Sequence, residues 1–261
     1  MKLWNLLPIL SAPMPLQMAL DEILFSEIAS SPPSAAPRND VIASEAKQSP
    51  IWRIYFSSEP WISVGYSEKI ESLRNDGKAP VCRRITGGGI VHHGRDLIFS
   101  IAARKTDDES FKSVRLAYLK IHEGVKAAFE ALSLKARFYR CDENLPRGKE
   151  CFLFPIATDL GVGEKKIAGG AQKRSSGALL HQESIQGIAG LDLFDLATAL
   201  RESFEKIFEM KLRPMDLDPG LLEKAKELAE TKYVISRTRE ARTRNPVFEK
   251  TRFLTPCGGS K

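Results

Sequence analysis

Three consecutive glycines at 87–89, preceded by Arg83-Arg84-Ile85-Thr86 and followed by Ile90-Val91-His92-His93, constrain this chain more than any other stretch. Glycine reaches positive φ without the penalty a Cβ imposes. Such a run therefore lets backbone approach a bound group closely and offer N–H donors to an anion or an acyl carbonyl. The neighbouring arginines add fixed positive charge. A second segment, Lys165-Lys166-Ile167-Ala168-Gly169-Gly170-Ala171-Gln172, repeats the association of cations with glycines. No Gly-Lys-Ser/Thr follows either run, which excludes a P-loop, and neither holds the Gly-x-Gly-x-x-Gly of a dinucleotide fold. On spacing alone, a glycine-rich turn with solvated arginines accounts for each segment better than a ligand loop does, because such turns are common.

Around these segments short β-rich runs alternate with two-faced helices. Leu3 to Leu10, Ile51 to Phe56, Trp61 to Gly65, Leu97 to Ala102, Lys135 to Tyr139, Thr158 to Val162, Lys165 to Ala168 and Gly177 to His181 read as strands. Leu16 to Ala29, Ser113 to Leu132, Leu193 to Phe208 and Leu221 to Lys232 carry apolar residues at helical spacing, and Asp218-Pro219 opens the last of them. Strands in hairpin succession with helices between groups predict an α+β fold built on a mixed, largely antiparallel sheet. Ser30 to Pro50 is rich in proline and small residues through Asp40 and then has little to bury, so about 31–50 reads as an exposed insertion.

The 261 residues are 43% apolar and 28% charged, which suits one large domain over 1–232 with a small appendage. The net charge of +6 suggests nucleic acid until its location is traced. Lys232 to Lys261 holds eight basic and two acidic residues, so the whole excess lies there and residues 1–231 are neutral. A neutral body argues against nucleic-acid binding, and 233–261 reads as a poorly ordered basic extension. No apolar run reaches the ~18 residues that crossing a bilayer requires, so the expected location is the cytoplasm, away from membrane. Cys82, Cys141, Cys151 and Cys257 are too few and too irregularly spaced for a disulfide scaffold or a CxxC zinc site, and no metal site is expected.

Taken together the segments carry a specific resemblance. Arg83-Arg84-Ile85-Thr86-Gly87-Gly88-Gly89-Ile90-Val91-His92-His93, then Leu97-Ile98-Phe99-Ser100, then Lys165 to Gln172 followed by Gly177 to Ile185, resemble in order the motifs of the biotin/lipoate protein ligase and octanoyltransferase superfamily. Met18-Ala19-Leu20-Asp21-Glu22 is similar to that superfamily's early Asp-Glu helix, and Trp61 to Tyr66 to its Ser-x-Gly strand. The resemblance implies a core like that of class II aminoacyl-tRNA synthetases, with the glycine loop lining an acyl tunnel. It implies substrate contacts from Arg83, Arg84, Thr86, Gly87, Gly88, Gly89, His93, Gly169, Ala171 and His181, and places Lys166 at the acyl carbonyl. An ammonium there would stabilise the charge that develops as the carbonyl is attacked.

This superfamily includes ATP-dependent lipoate ligases and transferases working through a cysteine thioester. Glu150-Cys151-Phe152-x-x-Pro155, with Asp159-Leu160 beyond, resembles the nucleophile segment of one octanoyltransferase branch. The resemblance therefore implies octanoyl transfer from acyl carrier protein, through Cys151, to a lysine of a lipoyl domain or glycine-cleavage H protein, without a cofactor. A ligase would instead need ATP and Mg2+, and a third expectation is an acyl- or lipoyl-domain-binding protein without turnover. The chain departs from the pattern at His92 and Gly94, where tyrosine and aspartate are usual, at Asp96 for asparagine, and at Glu183 for glycine. Cys82, Cys141 and Cys257 lie in no motif and read as buried apolar residues.

Overall fold

The computed structural model describes residues 1–31, 49–69, 79–139, 148–233 and 251–254. Nearly all of the expected insertion, Cys141, Cys257 and most of the basic extension lie outside the described residues. The strands are β1 (Lys2–Leu6), β2 (Ile9–Ala12), β3 (Ile51–Ser57), β4 (Trp61–Val64), β5 (Val81–Arg83), β6 (Ile90–His93), β7 (Leu97–Arg104), β8 (Ala136–Phe138), β9 (Leu160–Val162), β10 (Lys165–Ser175), β11 (Ala178–Ile185), β12 (Met210–Pro214) and β13 (Arg252–Leu254). The helices are α1 (Met14–Ser30), α2 (Val114–Ala131), α3 (Leu193–Ile207) and α4 (Pro219–Leu228).

The main sheet runs β12-β1-β3-β7-β11-β10-β9-β8, with β2 on β3 and β13 on β2. From β3 to β8 every pairing is antiparallel, whereas β1 lies parallel to both β12 and β3. A second sheet, β5-β4-β6, carries the glycine loop between its two outer strands. The α+β class expected from the sequence is the one observed. Leu3 to Leu10 is not one strand but two: Pro8 cannot donate to a ladder, and the chain bends there before β2 joins β3.

Period-two alternation along β7 divides the core. Leu97, Phe99, Ile101 and Ala103 face a cluster with α2 and α3, where Trp52 stacks on Phe204 at 4.7 Å between ring centres. Ile98 faces the opposite side, where α1 packs with Leu10, Tyr55 and Trp61. Because α1 lies under the sheet and against α4, every residue from Met14 to Asp21 is buried, so its first turns have no solvent face. Among the described residues no helix is long and apolar enough to cross a membrane.

A buried carboxylate at the start of the short 3-10 turn before α2 joins that turn to β1. Asp108 accepts from Lys2 Nζ at 2.7 Å, from Lys120 Nζ at 2.9 Å and from Ser110 Oγ at 2.7 Å. Burial opposes its ionisation, but these donors hold the carboxyl down at about 2. A depressed value contributes stability above the ordinary carboxylate range and loses it as pH falls toward the folded value. Asp108→Asn is expected to cost about 1–2 kcal/mol near neutrality. In denaturant titrations that difference should shrink steadily below pH 4 and be nearly gone at pH 2.

Candidate active site

Arg84 organises the site, and its own sequence neighbours are what it binds. Its guanidinium donates from Nε and Nη2 to the Gly87 carbonyl at 3.1 and 2.8 Å, from Nη2 to Gly89 O at 2.9 Å, and from Nη1 to Ser63 O and Oγ at 3.1 and 3.0 Å. The planar fork thereby ties the loop between β5 and β6 to β4. Gly88 has φ of +80°, and a Cβ there would stand 2.9 Å from Arg84 Nη2 and 3.9 Å from Cys151 Sγ. At Gly89 the loop packs so closely on the Lys149 carbonyl that no side chain fits.

That close approach positions the cysteine. Ile90 N donates to Lys149 O at 2.7 Å and Cys151 N to Ile90 O at 3.0 Å, so 149–151 adds a short parallel bridge to β6. Cys151 is half-buried at the cleft, with the Arg84 guanidinium beside its thiol. Burial pulls the Arg84 guanidinium below its ordinary value, and the neighbouring Cys151 works against that shift. Lys166, on β10, reaches the same place. Its Nζ donates to the Cys151 carbonyl oxygen at 2.8 Å and pairs with Asp159 at 2.6 Å. Burial keeps the Asp159 carboxyl above its ordinary value in spite of the Lys166 charge.

Behind Arg84 runs a buried chain of hydrogen bonds. Ser63 Oγ and His93 Nε2 are 2.7 Å apart, and His93 Nδ1 is 2.6 Å from Asp96 Oδ2. Ser184 Oγ also donates to Asp96 Oδ2, at 2.7 Å. Burial would raise the Asp96 carboxyl, but His93, Ser184 and the Gly94 N–H together bring it below its ordinary value. With Asp96 accepting from Nδ1–H, His93 presents Nε2 as the acceptor for the Ser63 hydroxyl, whose oxygen in turn receives Arg84. Asp96–His93–Ser63 thus fixes the guanidinium that faces the thiol.

The cleft measures about 480 Å³ with its open mouth, and Met14, Met18, Tyr55, Val91 and Ile98 give it an apolar wall. Cys151, Lys166, Arg84, Gly88, His93, Gly169 and Ala171 line it, so seven of the residues named from the sequence converge on one space. Thr86 stands behind, donating to Gln182 Oε1 at 2.6 Å. Gly87 and Gly89 do not line the cleft but turn their carbonyls to Arg84, and two further named residues are placed elsewhere. Arg83 turns away and donates to the carbonyls of Gly65, Tyr66 and Glu68, which pins the turn after β4. His181 is fully buried against Glu183 and Phe99, because strand alternation points it to the α2 side. Burial pushes the Cys82 thiol up to about 12, an inert environment.

Sequence reasoning missed what α1 does here. Asp21 accepts from Arg53, from Tyr55 Oη at 2.9 Å, from Ser100 Oγ at 2.6 Å and from Gln182 Nε2 at 2.7 Å. Its carboxylate therefore joins α1 to β3, β7 and β11 and, through Gln182 and Thr86, to the glycine loop. Also unforeseen is a His122–Glu183–His181 cluster on the other side of β11, in which both imidazoles meet Glu183 Oε2 at 2.9 Å. Burial would raise the Glu183 carboxyl, yet the two imidazoles hold it at about 2. For Asp21 the sequence signal was its place in the resembled Asp-Glu helix, and for the cluster only a negative one: a glutamate where the resembled pattern has glycine.

A mixed sheet that presents a glycine loop, a cysteine and a lysine around an apolar cleft defines an acyl-handling catalytic domain. The chain belongs to the family of lipoyl protein ligase A/B catalytic domains, whose model matches residues 14–209. Octanoyltransferase LipM of Bacillus cereus is 30% identical over 239 residues, spanning 73% of this chain and 86% of that protein. LipM of Geobacillus kaustophilus is 34% identical over 155 residues, 54% of this chain and 55% of the relative. Among solved structures, a bipartite lipoate protein ligase from Thermoplasma acidophilum aligns with a TM-score of 0.64 at 18% identity, covering 95% of this chain and 100% of that one. A lipoate-protein ligase A bound with ATP aligns with a TM-score of 0.63 at 20% identity, covering 88% and 94%. At these identities the two structures speak for the fold alone.

Proposed function

We propose that this chain is an octanoyltransferase of protein lipoylation that carries the acyl group on Cys151. The observation that bears most weight is that Cys151, Arg84 and Lys166 line one cleft with an apolar wall, the guanidinium beside the thiol and Lys166 Nζ on the Cys151 carbonyl oxygen. The similarity to LipM octanoyltransferases supports the same reading. The thiolate is the attacking species in such a transfer.

In the first half-reaction the Cys151 thiolate attacks the thioester carbonyl of octanoyl acyl carrier protein. The carbonyl π pair moves onto oxygen. As it returns, the carrier's thiolate leaves and octanoyl remains on Cys151. In the second, the amine of a lysine on a lipoyl domain or glycine-cleavage H protein attacks that thioester. Its proton is lost, the amide forms and the Cys151 thiolate is restored. Lys166 supplies positive charge where the oxyanion develops, and Asp159 holds the ammonium in place. No cofactor enters either half-reaction.

Incubation with octanoyl acyl carrier protein, followed by intact-mass measurement, should show one octanoyl group added and located on Cys151. Transfer to a lipoyl domain should then proceed without ATP. Pyrophosphate release from ATP with free lipoate or octanoate, and no acylation from the carrier, would instead make the chain a ligase.

A further inference from the structure

We propose that His122, His181 and Glu183 form a binding site for one divalent transition-metal ion of the zinc class. His181 and Glu183 lie two apart on β11, so both project from the same face, and His122 meets them from α2. One ligand atom from each side chain falls within 4.8 Å of the others, and all three side chains are fully buried. Two imidazoles and a carboxylate are a donor set that tetrahedral zinc accepts with its fourth position open.

Three features set this cluster apart from an ordinary buried ion pair. His122 is held from behind, its Nδ1 donating to the Thr158 carbonyl as ligating histidines are oriented. Glu183 Oε1 is buried with no hydrogen-bond partner, an acceptor that a purely protein network would have satisfied. Room has also been made. Gly170 stands directly opposite Glu183 in the β10–β11 ladder, and a Cβ there would collide with Oε2 and sit 2.7 Å from His181 Nε2. The glutamate that departs from the resembled pattern and the glycine facing it thus belong to one arrangement. Glu183 and Gly170 also line the cleft, so the site borders the space that holds Cys151.

The full chain, stripped with a chelator and titrated with Co2+, is expected to take up one ion with the intense visible absorption of tetrahedral coordination. Zn2+ should displace it and raise the thermal midpoint. Glu183→Gln and His122→Gln should each weaken Co2+ uptake by more than about 10-fold. Cys151→Ser should leave the spectrum unchanged, which separates this site from the cleft thiol. The absence of a one-equivalent tetrahedral spectrum in the wild-type chain would overturn the proposal, whatever the variants do. So would its persistence in a Glu183→Gln variant shown to be folded by circular dichroism. The readout is the ion's own spectrum, so that result would leave the octanoyltransferase reading standing.

Discussion

Cys151→Ser should lose octanoyl transfer by at least about 10^3-fold and show no added acyl mass after exposure to octanoyl acyl carrier protein. The substitution changes one atom and keeps the backbone bridge of Cys151 N to Ile90 O, so the site's shape survives. What disappears is the sulfur nucleophile. A serine hydroxyl is intrinsically a far weaker acid and nucleophile than a thiol, and Arg84, already committed to Ser63, Gly87 and Gly89, has little to add. Cys82→Ala is the matched control: that thiol is sealed in the core, and its loss should leave the acyl mass and the transfer rate in place. Full transfer by the Cys151→Ser protein would sink the thioester mechanism.

The second large effect concerns folding. Asp21→Ala is expected to destabilise the protein by about 3–5 kcal/mol, because it strands a buried guanidinium without its counter-charge. Arg53 is almost wholly enclosed and would keep, among the described residues, hydrogen bonds to Gln17 and contact with the Tyr55 ring face, neither of which carries a counter-charge, while Tyr55, Ser100 and Gln182 would lose the acceptor they share. Chemical denaturation measures the loss directly. The double variant Asp21→Ala with Arg53→Met should be more stable than Asp21→Ala alone, since it removes the unpaired charge. A cost below about 1 kcal/mol for the single change would mean that Asp21 is not the junction described.

How much of this was legible in the sequence follows from where the determinants lie along the chain. Strands with an unbroken apolar run, such as Leu97 to Ala102, and helices with clear spacing, such as Ser113 to Leu132, were recognised within a residue or two of their ends. The strands overlooked were β5, β6, β12 and β13, which are short and mix apolar with charged or imidazole side chains. A three-residue strand such as Val81–Arg83 has too few positions to display a period. For the site, contiguous motifs delivered the glycine loop, Cys151 and Lys166. The hydrogen-bonded sets were hidden because their members are scattered: Ser63, Arg84 and His93 meet Asp96 and Ser184 only after five strands assemble. Nothing local marks Asp21 as a four-way junction, or His122 as the partner of a glutamate 61 residues away.

The pairing of β13 with β2 gives the end of the chain a structural duty that its charge would not suggest. β12 covers the outer side of β1, and β13 covers β2 in the same way, with Arg252 opposite Ser11 and Leu254 opposite Ile9. Two short pieces from late in the chain therefore close successive stretches of one sheet margin. A bare margin is a template onto which a second chain can add a strand, and charged residues flanking such a cover discourage that addition. A chain cut before residue 251 would leave the peptide groups of Ile9 to Ser11 open, and its first failing would be self-association at the face opposite β3 rather than loss of chemistry.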